Sequence, residues 1–551
     1  MKKQILISFA TLSILIISSC IKDLDREPFY EQTSISIYKD PNNYIHVLAK
    51  LYAGLSVTGQ KGPAGSADIS TSIVDEGFSQ YLRMLWNLQE LPTDEAKCRW
   101  NDTGIPDLAK WTWSDGNQWV RGGYLRFLYQ VTSCNEFIKQ SSEEQLEFHG
   151  FSEEDKNKIR AYRAEARFLK ALSLFHAMDI FGNIPDITNE YKYPGTEFPI
   201  QMSRTDLFIY VEKELLEIEN LLVSASAQEY GRASKEAAQT LTAKLYLNAG
   251  VYTGNTRFAD ALSYCEKVIG SGAFSIESVY SNLFRADNQF SKEIIFPITS
   301  DGTRTLSYGT TSFLINASGF PTDTFTSGPN IGLYKNYGSS YPAFSLRDST
   351  GSTAAWQGLI ACKELVNLFP DSSYDERFQF IKGGRNPEIS ILPGTSATLN
   401  EGFVVKKFRN ISSSNSFGSN SSFADTDFPL FRLADVYLMY VEAYLNNGGG
   451  SQNLALNYLN TLRERAYNNS DHNFTTFNLD DVLKERSREL YWEGHRRSDL
   501  IRFGKFTGGS YTWSWKGNSA SGSSTSDYLK LYPLPATELT ANPNLTQNPG
   551  Y

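Results

Sequence analysis

Tyr246-Leu247-Asn248-Ala249-Gly250, followed by Ala261-Leu262-Ser263-Tyr264, is echoed by Tyr444-Leu445-Asn446-Asn447-Gly448, followed by Ala455-Leu456-Asn457-Tyr458. In each copy an apolar, helix-spaced segment ends at a Gly-containing turn and a second such segment follows. The gap from glycine to alanine is eleven residues in the first copy and seven in the second. Apolar residues recur at helical spacing over 157–181, 205–223, 234–250, 257–269, 428–446, 453–467 and 479–494, with few breakers. These stretches are expected helices, and the two quoted copies are expected helix pairs.

Small and aromatic residues at this spacing resemble tetratricopeptide (TPR) helix pairs, which stack because one pair cannot bury its apolar face alone. The copies are far apart in the chain, which predicts a helical scaffold interrupted by other material rather than a continuous solenoid. Residues 54–123 and 300–425 supply that material: they are rich in Gly, Ser, Thr, Asn and aromatics and show little helical periodicity. They read as long loops with short hairpins, and function is expected there more than on the helices. The expected fold is therefore mainly α, a TPR-like helical-pair scaffold with long irregular loops and short strands carrying the ligand site.

The chain has 551 residues, enough for about three or four units merged into one body. Its 52 Lys and Arg against 61 Asp and Glu give a formal charge of −9, with no basic block, so nucleic acid is not an expected partner. Aromatics reach 13% while histidines number only five, a balance that favours flat binding surfaces over acid–base chemistry. Lys2 and Lys3 precede an apolar run over residues 5–17 that is too short to span a bilayer, and Ile17-Ser18-Ser19-Cys20 then resembles a bacterial lipobox. Residues 1–19 are an expected leader, Cys20 the expected lipidation site, and the lipid the only expected contact with a membrane. Cys98, Cys134, Cys265 and Cys362 form no CxxC pair, which leaves two disulfides or four buried thiols both open.

Signatures of common enzymes are missing: there is no HExxH, P-loop, GxGxxG after a strand, or GxSxG elbow. Adjacent carboxylates occur at Asp75-Glu76, Asp94-Glu95 and Glu153-Glu154, but neighbours in sequence rarely face one ligand across a sugar as a glycosidase requires. Glu153 and Glu154 read as the acidic first turn of a helix capped by Ser152, and Asp94-Glu95 as a loop-ordering pair. The histidines share no short spacing; His176 is expected in a core and His495 at a surface. Five tryptophans, Trp86, Trp100, Trp111, Trp113 and Trp119, fall close together, interleaved with Arg83, Arg99, Asn87, Asn101, Asp94 and Asp102. Flat rings with hydrogen-bonding groups beside them suit a sugar, whose faces are C–H and whose rim is hydroxyl. Any single ring of the five is nevertheless more expected in the core. Trp111-Thr112-Trp113 is expected to be extended, with both rings on one face.

Larger motifs give a family likeness. The run from Arg163 through Arg167, Asp179 and Gly182 to Pro185 is similar to the signature helix of the RagB/SusD family of Bacteroidetes outer-membrane lipoproteins. Tyr230-Gly231-Arg232-Ala233-Ser234, Phe428 to Tyr437, Glu493 to Phe503 and Tyr532-Pro533-Leu534-Pro535 match in family order. The resemblance implies a TPR-containing, non-catalytic glycan-binding protein facing the exterior of the outer membrane. It implies a TonB-dependent transporter of the SusC type as partner and no cofactor. Lys22-Asp23 after the lipobox is similar to the family's export signal, and the chain divides into an N-terminal region at 20–225 and a C-terminal region at 226–551 that includes the 300–425 insert.

Within the family the likeness is greatest to starch-binding members, through Gly54 to Gly62, Glu90 to Glu95 and Tyr246 to Gly254. What it implies by position is a site for α-glucan in which Arg83 and Asn101 bond sugar hydroxyls and Trp100, Phe313 and Trp356 stack on sugar faces. Cys98 stands where such relatives carry a first tryptophan, and Phe313 where they carry tyrosine. Other expectations are a different glycan or a peptide nutrient bound by the same family fold, and, as a separate class, a surface glycoside hydrolase. Arg496, Arg497 and Asp499 are expected to be structural.

Overall fold

The helices that build the body and the site run in the order α1 (Asn43–Ser56), α2 (Tyr81–Glu90), α3 (Gln118–Gln140), α4 (Glu153–Phe181), α5 (Arg204–Ile218), α6 (Lys235–Leu247), α7 (Phe258–Gly270), α8 (Thr310–Ala317), α9 (Leu433–Leu445), α10 (Gln452–Tyr467), α11 (Leu479–Leu490) and α12 (Arg496–Arg502). Short strands lie between them: β1 (Ala96–Cys98), β2 (Ile294–Ile298), β3 (Leu359–Ala361) and β4 (Phe428–Arg432). This computed structural model describes residues 34–63, 67–69, 76–188, 197–320, 349–370, 374–381 and 385–551. The leader and Cys20 lie outside the described residues.

Helix starts follow local chemistry. The Ser152 side chain accepts from the Asp155 backbone N–H ahead of the acidic first turn of α4, as its sequence predicts. Ser203 and Ser234 cap α5 and α6 in the same way, and Asn478 with Asp481 forms a reciprocal capping box on α11.

The helices stack in pairs. α3 packs on α4 and α4 on α5; α6 packs on α7, α7 on α9 and α9 on α10. The two echoed segments are therefore neighbours in space, although residues 271–432 intervene in the chain. Their turns touch: a Cβ on Gly448 would lie 2.7 Å from the Phe258 carbonyl oxygen, so glycine permits the close approach. Aromatic pairs fill the seams, with Tyr246 and Tyr264 5.6 Å apart between centroids and Tyr437 and Tyr458 4.4 Å apart. β2 pairs antiparallel with β4 and so closes the two ends of the insert.

Expectations about individual elements are corrected. The helix expected over 428–446 begins with strand β4, because Phe428–Arg432 pairs with β2 before α9 starts at Leu433. The stretch 54–123, read as loop, contains all of α2 and the start of α3. Every residue of α2 is buried, its polar side chains Arg83, Asn87, Gln89 and Glu90 included, so its polar stripe faces the interior and not water.

A lattice of buried ions joins α11 to the strands. Arg432 pairs with Glu293 at 2.8 Å, Glu489 at 2.7 Å and Glu493 at 2.7 Å. Arg465 pairs with Glu293 and Glu489, Arg377 with Asp375 and Glu485, and Lys407 with Glu493. Each partner compensates another's lost hydration, so removing one leaves a buried charge exposed to the full penalty. Arg496, Arg497 and Asp499 are structural as expected: Arg496 grips Asp94 at 2.6 Å, Arg497 pairs with Asp179 at 3.5 Å and Asp499 receives Arg486 at 2.8 Å. His176 is in the core, 2.8 Å from the Tyr81 hydroxyl. His495, expected at the surface, is only partly exposed and lines a small, partly enclosed pocket with Lys244, Asp179 and Asp499. The four cysteines at 98, 134, 265 and 362 are buried free thiols, which closes the alternative left open by their spacing.

Candidate functional site

The tryptophan cluster divides sharply. Trp86, Trp111, Trp113 and Trp119 belong to the core, and only Trp100 of the five is partly exposed. The Trp111 and Trp113 rings do lie together, 5.4 Å between centroids, but inside the protein and with Trp111 in a left-handed turn at φ 65°.

Trp100 is delivered by β1. Residues 96–98 pair antiparallel with residues 359–361 of β3, and Arg99 N–H continues the ladder to the Gly358 carbonyl at 2.8 Å. This register lays Trp100 beside Trp356, whose carbonyl accepts from the Trp100 indole N–H at 2.9 Å. The ring centroids are 6.3 Å apart with planes 52° from parallel.

Helix α8, hidden in a stretch read as loop, organises the rest. A helix leaves its last carbonyls without intrahelical partners. Here Asn316 O accepts Trp356 N–H at 2.9 Å, and Ala317 O accepts Gly358 N–H at 2.8 Å. At the other end of α8, Tyr308 precedes the first turn and its ring meets Trp356 at 5.9 Å. On its far side Tyr308 meets Phe423 at 5.3 Å, planes 43° apart. The Phe423 loop is tied to α8 by Asn316 Nδ2 donating to Ser422 O at 2.8 Å and by Ala424 N–H donating to Ser312 Oγ at 2.8 Å. Trp100, Trp356, Tyr308 and Phe423 thus form one ridge of four partly exposed rings.

Backbone strain marks the same place. Thr310 and Gln357 have φ of 50° and 54°, a region that non-glycine residues seldom enter and that persists where surroundings hold it. The buried Gln80 side chain holds the first: its Oε1 accepts the N–H of Thr310 at 3.1 Å and of Arg83 at 2.7 Å.

The residues singled out from sequence occupy two levels. Trp100 and Trp356 are in the ridge, and Asn101 is exposed next to Trp100. Arg83 and Phe313, each only 1% exposed, lie beneath it. The Arg83 guanidinium sits 4.3 Å from the centroids of both Phe78 and Phe313 and donates to Tyr308 O at 2.9 Å. The roles expected of these two, a hydroxyl donor and a stacking face, are corrected to support, because neither reaches the surface. The partly exposed ring on this side of Trp356 is that of Tyr308. Sequence reasoning missed Tyr308 and Phe423; their one signal was aromatic identity inside a Gly/Ser-rich segment.

The adjacent carboxylates Asp94 and Glu95 do not face the ridge. Asp94 is bound to Arg496, while Glu95 accepts from the Ser487 hydroxyl and from Trp492 N–H at 3.1 Å; both are buried. Burial pushes the Glu95 carboxyl up to about 7.

A model of the SusD family matches residues 328–551. The chain is 35% identical to the starch-binding protein SusD of Bacteroides thetaiotaomicron, over 99% of this chain and 98% of that one. It is 25% identical to SusD-like protein P25 of Formosa agariphila, over 70% of this chain and 71% of that one. Among solved structures, a SusD superfamily protein from B. thetaiotaomicron superposes with a TM-score of 0.67 at 19% identity, covering 92% of this chain and 99% of that one. Surface glycan-binding protein A from the same organism, in complex with laminarihexaose, superposes with a TM-score of 0.66 at 18% identity, over 92% and 99% respectively. These last two likenesses are of fold.

Proposed function

The chain belongs to the SusD family, and from that premise we propose that it is a cell-surface lipoprotein that binds glycan on the ridge of Trp100, Trp356, Tyr308 and Phe423. The glycan is an α-glucan of the starch or maltooligosaccharide type. Cys20 carries the lipid after removal of residues 1–19, and regions 20–225 and 226–551 form the exported protein on the outer face of the outer membrane. The bound glycan passes unreacted to a TonB-dependent transporter of the SusC type.

The observation that carries this reading is the turn of the ridge. Successive ring planes are inclined by 52°, 61° and 43°, so each ring offers its face in a new direction. A chain of sugars that itself curves can lay ring after ring on such faces, whereas a straight ribbon meets them one at a time. Asn101, exposed beside Trp100, supplies a donor and an acceptor to the hydroxyl rim. Each such bond replaces one to water and contributes only about 1 kcal/mol, so weak binding of short oligosaccharides follows, with gains as more rings are covered. The identity to a starch-binding relative supports the same glucan. Carboxylates 94 and 95 are buried and already bonded, which supports binding without hydrolysis.

A second reading, a β-glucan, is favoured by the relative of like fold that holds laminarihexaose. Calorimetric titration against maltooligosaccharides, starch, laminarioligosaccharides, fructans and peptides separates the readings. Maltoheptaose binding that weakens about tenfold in Trp100→Ala and in Trp356→Ala is the expected result. Binding of laminarioligosaccharides alone would move the assignment to β-glucan. Parent-like starch binding by both variants would remove the ridge from the site.

A further inference from the structure

We propose that Gly358 is a positioning residue of the ridge: it is glycine because the Trp100 indole lies directly across its Cα. The proposal rests on the ridge being the binding surface. A Cβ at position 358 would lie 2.2 Å from Cε2, 2.3 Å from Cζ2 and 2.7 Å from Nε1 of Trp100. Carbon atoms in contact settle at about 3.5–4.0 Å, so ring and methyl cannot share this space.

The conflict has one outlet. Gly358 cannot retreat, because its N–H is bonded to Ala317 O and its carbonyl to Arg99 N–H, both at 2.8 Å. Trp100 is partly exposed, so the indole is the group that moves. As it lifts, its N–H leaves the Trp356 carbonyl, and its ring leaves Phe313, 6.2 Å away, and the Arg83 guanidinium, 5.7 Å away. Gly358 is not among the residues with positive φ, so alanine can adopt its backbone conformation. The requirement at 358 is for space, not for dihedral freedom. One hydrogen atom in place of a methyl therefore sets the angle at which the first ring of the ridge meets its ligand, from a residue that need not touch the ligand itself.

A double-mutant cycle of Gly358→Ala and Trp100→Ala tests this, read by thermal denaturation and by calorimetric titration with maltoheptaose. Expected is a lower midpoint for Gly358→Ala in the parent and no further drop when it is added to Trp100→Ala, where the clash is gone. Affinity is expected to fall about tenfold in Gly358→Ala, as in Trp100→Ala, with no additional loss in the double variant. Parent-like affinity in Gly358→Ala, or an equal fall in midpoint in both backgrounds, overturns the proposal. If the parent binds no maltoheptaose, the α-glucan reading falls alone, and the thermal cycle still decides whether Gly358 seats Trp100.

Discussion

Around α11 the guanidinium groups of Arg377, Arg432 and Arg465 are met by Glu293, Glu485 and Glu489, whereas Arg83 lies between two phenyl rings and donates to the carbonyl of Tyr308. Both sites bury arginine, but by different chemistry. In the first, charges balance one another deep in the body, so loss of any member is felt by the whole fold. In the second, a cation rests on aromatic faces and props a loop, so loss is felt where the loop carries Tyr308. The scaffold is thus held by ion pairs that say nothing about ligand, and the ridge by ring contacts and single hydrogen bonds that shape its outer surface.

The strongest way to break this contrast is Arg432→Met, which leaves Glu293, Glu489 and Glu493 short of a cation. A loss of about 3–5 kcal/mol in urea denaturation is expected. A change below about 1 kcal/mol would mean that the lattice does not hold the body.

Acid should act on the lattice too. Burial alone would raise the Glu489 carboxyl, but Arg465, Arg432 and Arg377 outweigh it and hold it down to about 2. Asp499 is likewise held to about 2, against burial, by Arg486 and Arg502. These depressed groups stabilise above their unfolded values of about 4, and that stability is lost as pH falls through the folded ones. Burial pushes His176 down to about 3 and His495 to about 4, so the native state also resists protons that the unfolded chain accepts below about 6.5. Glu95, raised to about 7, works the other way, favouring the fold as pH drops from about 7 to 4.5. The melting midpoint is expected to vary little between about pH 7 and 5 and to fall steeply below about pH 4.5; an unchanged midpoint at pH 3 would contradict the sign.

Arg83→Met sharpens the comparison from the ridge side. Loss of the bond to Tyr308 and of two ring contacts is expected to cost about 1–3 kcal/mol and to weaken glycan binding together with stability. Parent-like values of both would show that the ridge is not supported from beneath. Asn101→Ala has the smallest expected effect: about fivefold weaker binding, near 1 kcal/mol, with an unchanged melting midpoint.

Sequence pattern reached the scaffold more readily than the site, for a physical reason. Helices α7 and α10 have one apolar and one wet face, and that asymmetry prints a period, whereas α6 and α9, almost wholly buried, are marked by the echoed motif at their ends. Helix α2 carries a period too, with Arg83, Asn87 and Glu90 on one face, but it is only ten residues long and sits in a stretch otherwise rich in Gly, Ser and Thr, so its mark is short. The site depends on separate rings from loops, and a single Tyr308 or Phe423 carries no periodic mark of its position. Family likeness singled out Trp100 and Trp356, which are partly exposed, and also Phe313, which is buried five residues from the partly exposed Tyr308. What decided between them was the start of α8 at Thr310, which turns Phe313 inward and leaves Tyr308 ahead of the helix.

Pairing of Ile294–Ile298 with Phe428–Arg432, together with the packing of α7 on α9, fixes both gateposts of the segment that supplies three of the four rings. Once those posts are fixed, lengthening the chain between them adds only about 0.6 kcal/mol of closure entropy per doubling. The body is therefore a chassis into which a different middle segment can be fitted at little thermodynamic cost. Trp100, arriving from the other half of the chain along β1, would remain as the fixed point against which any new surface has to be matched.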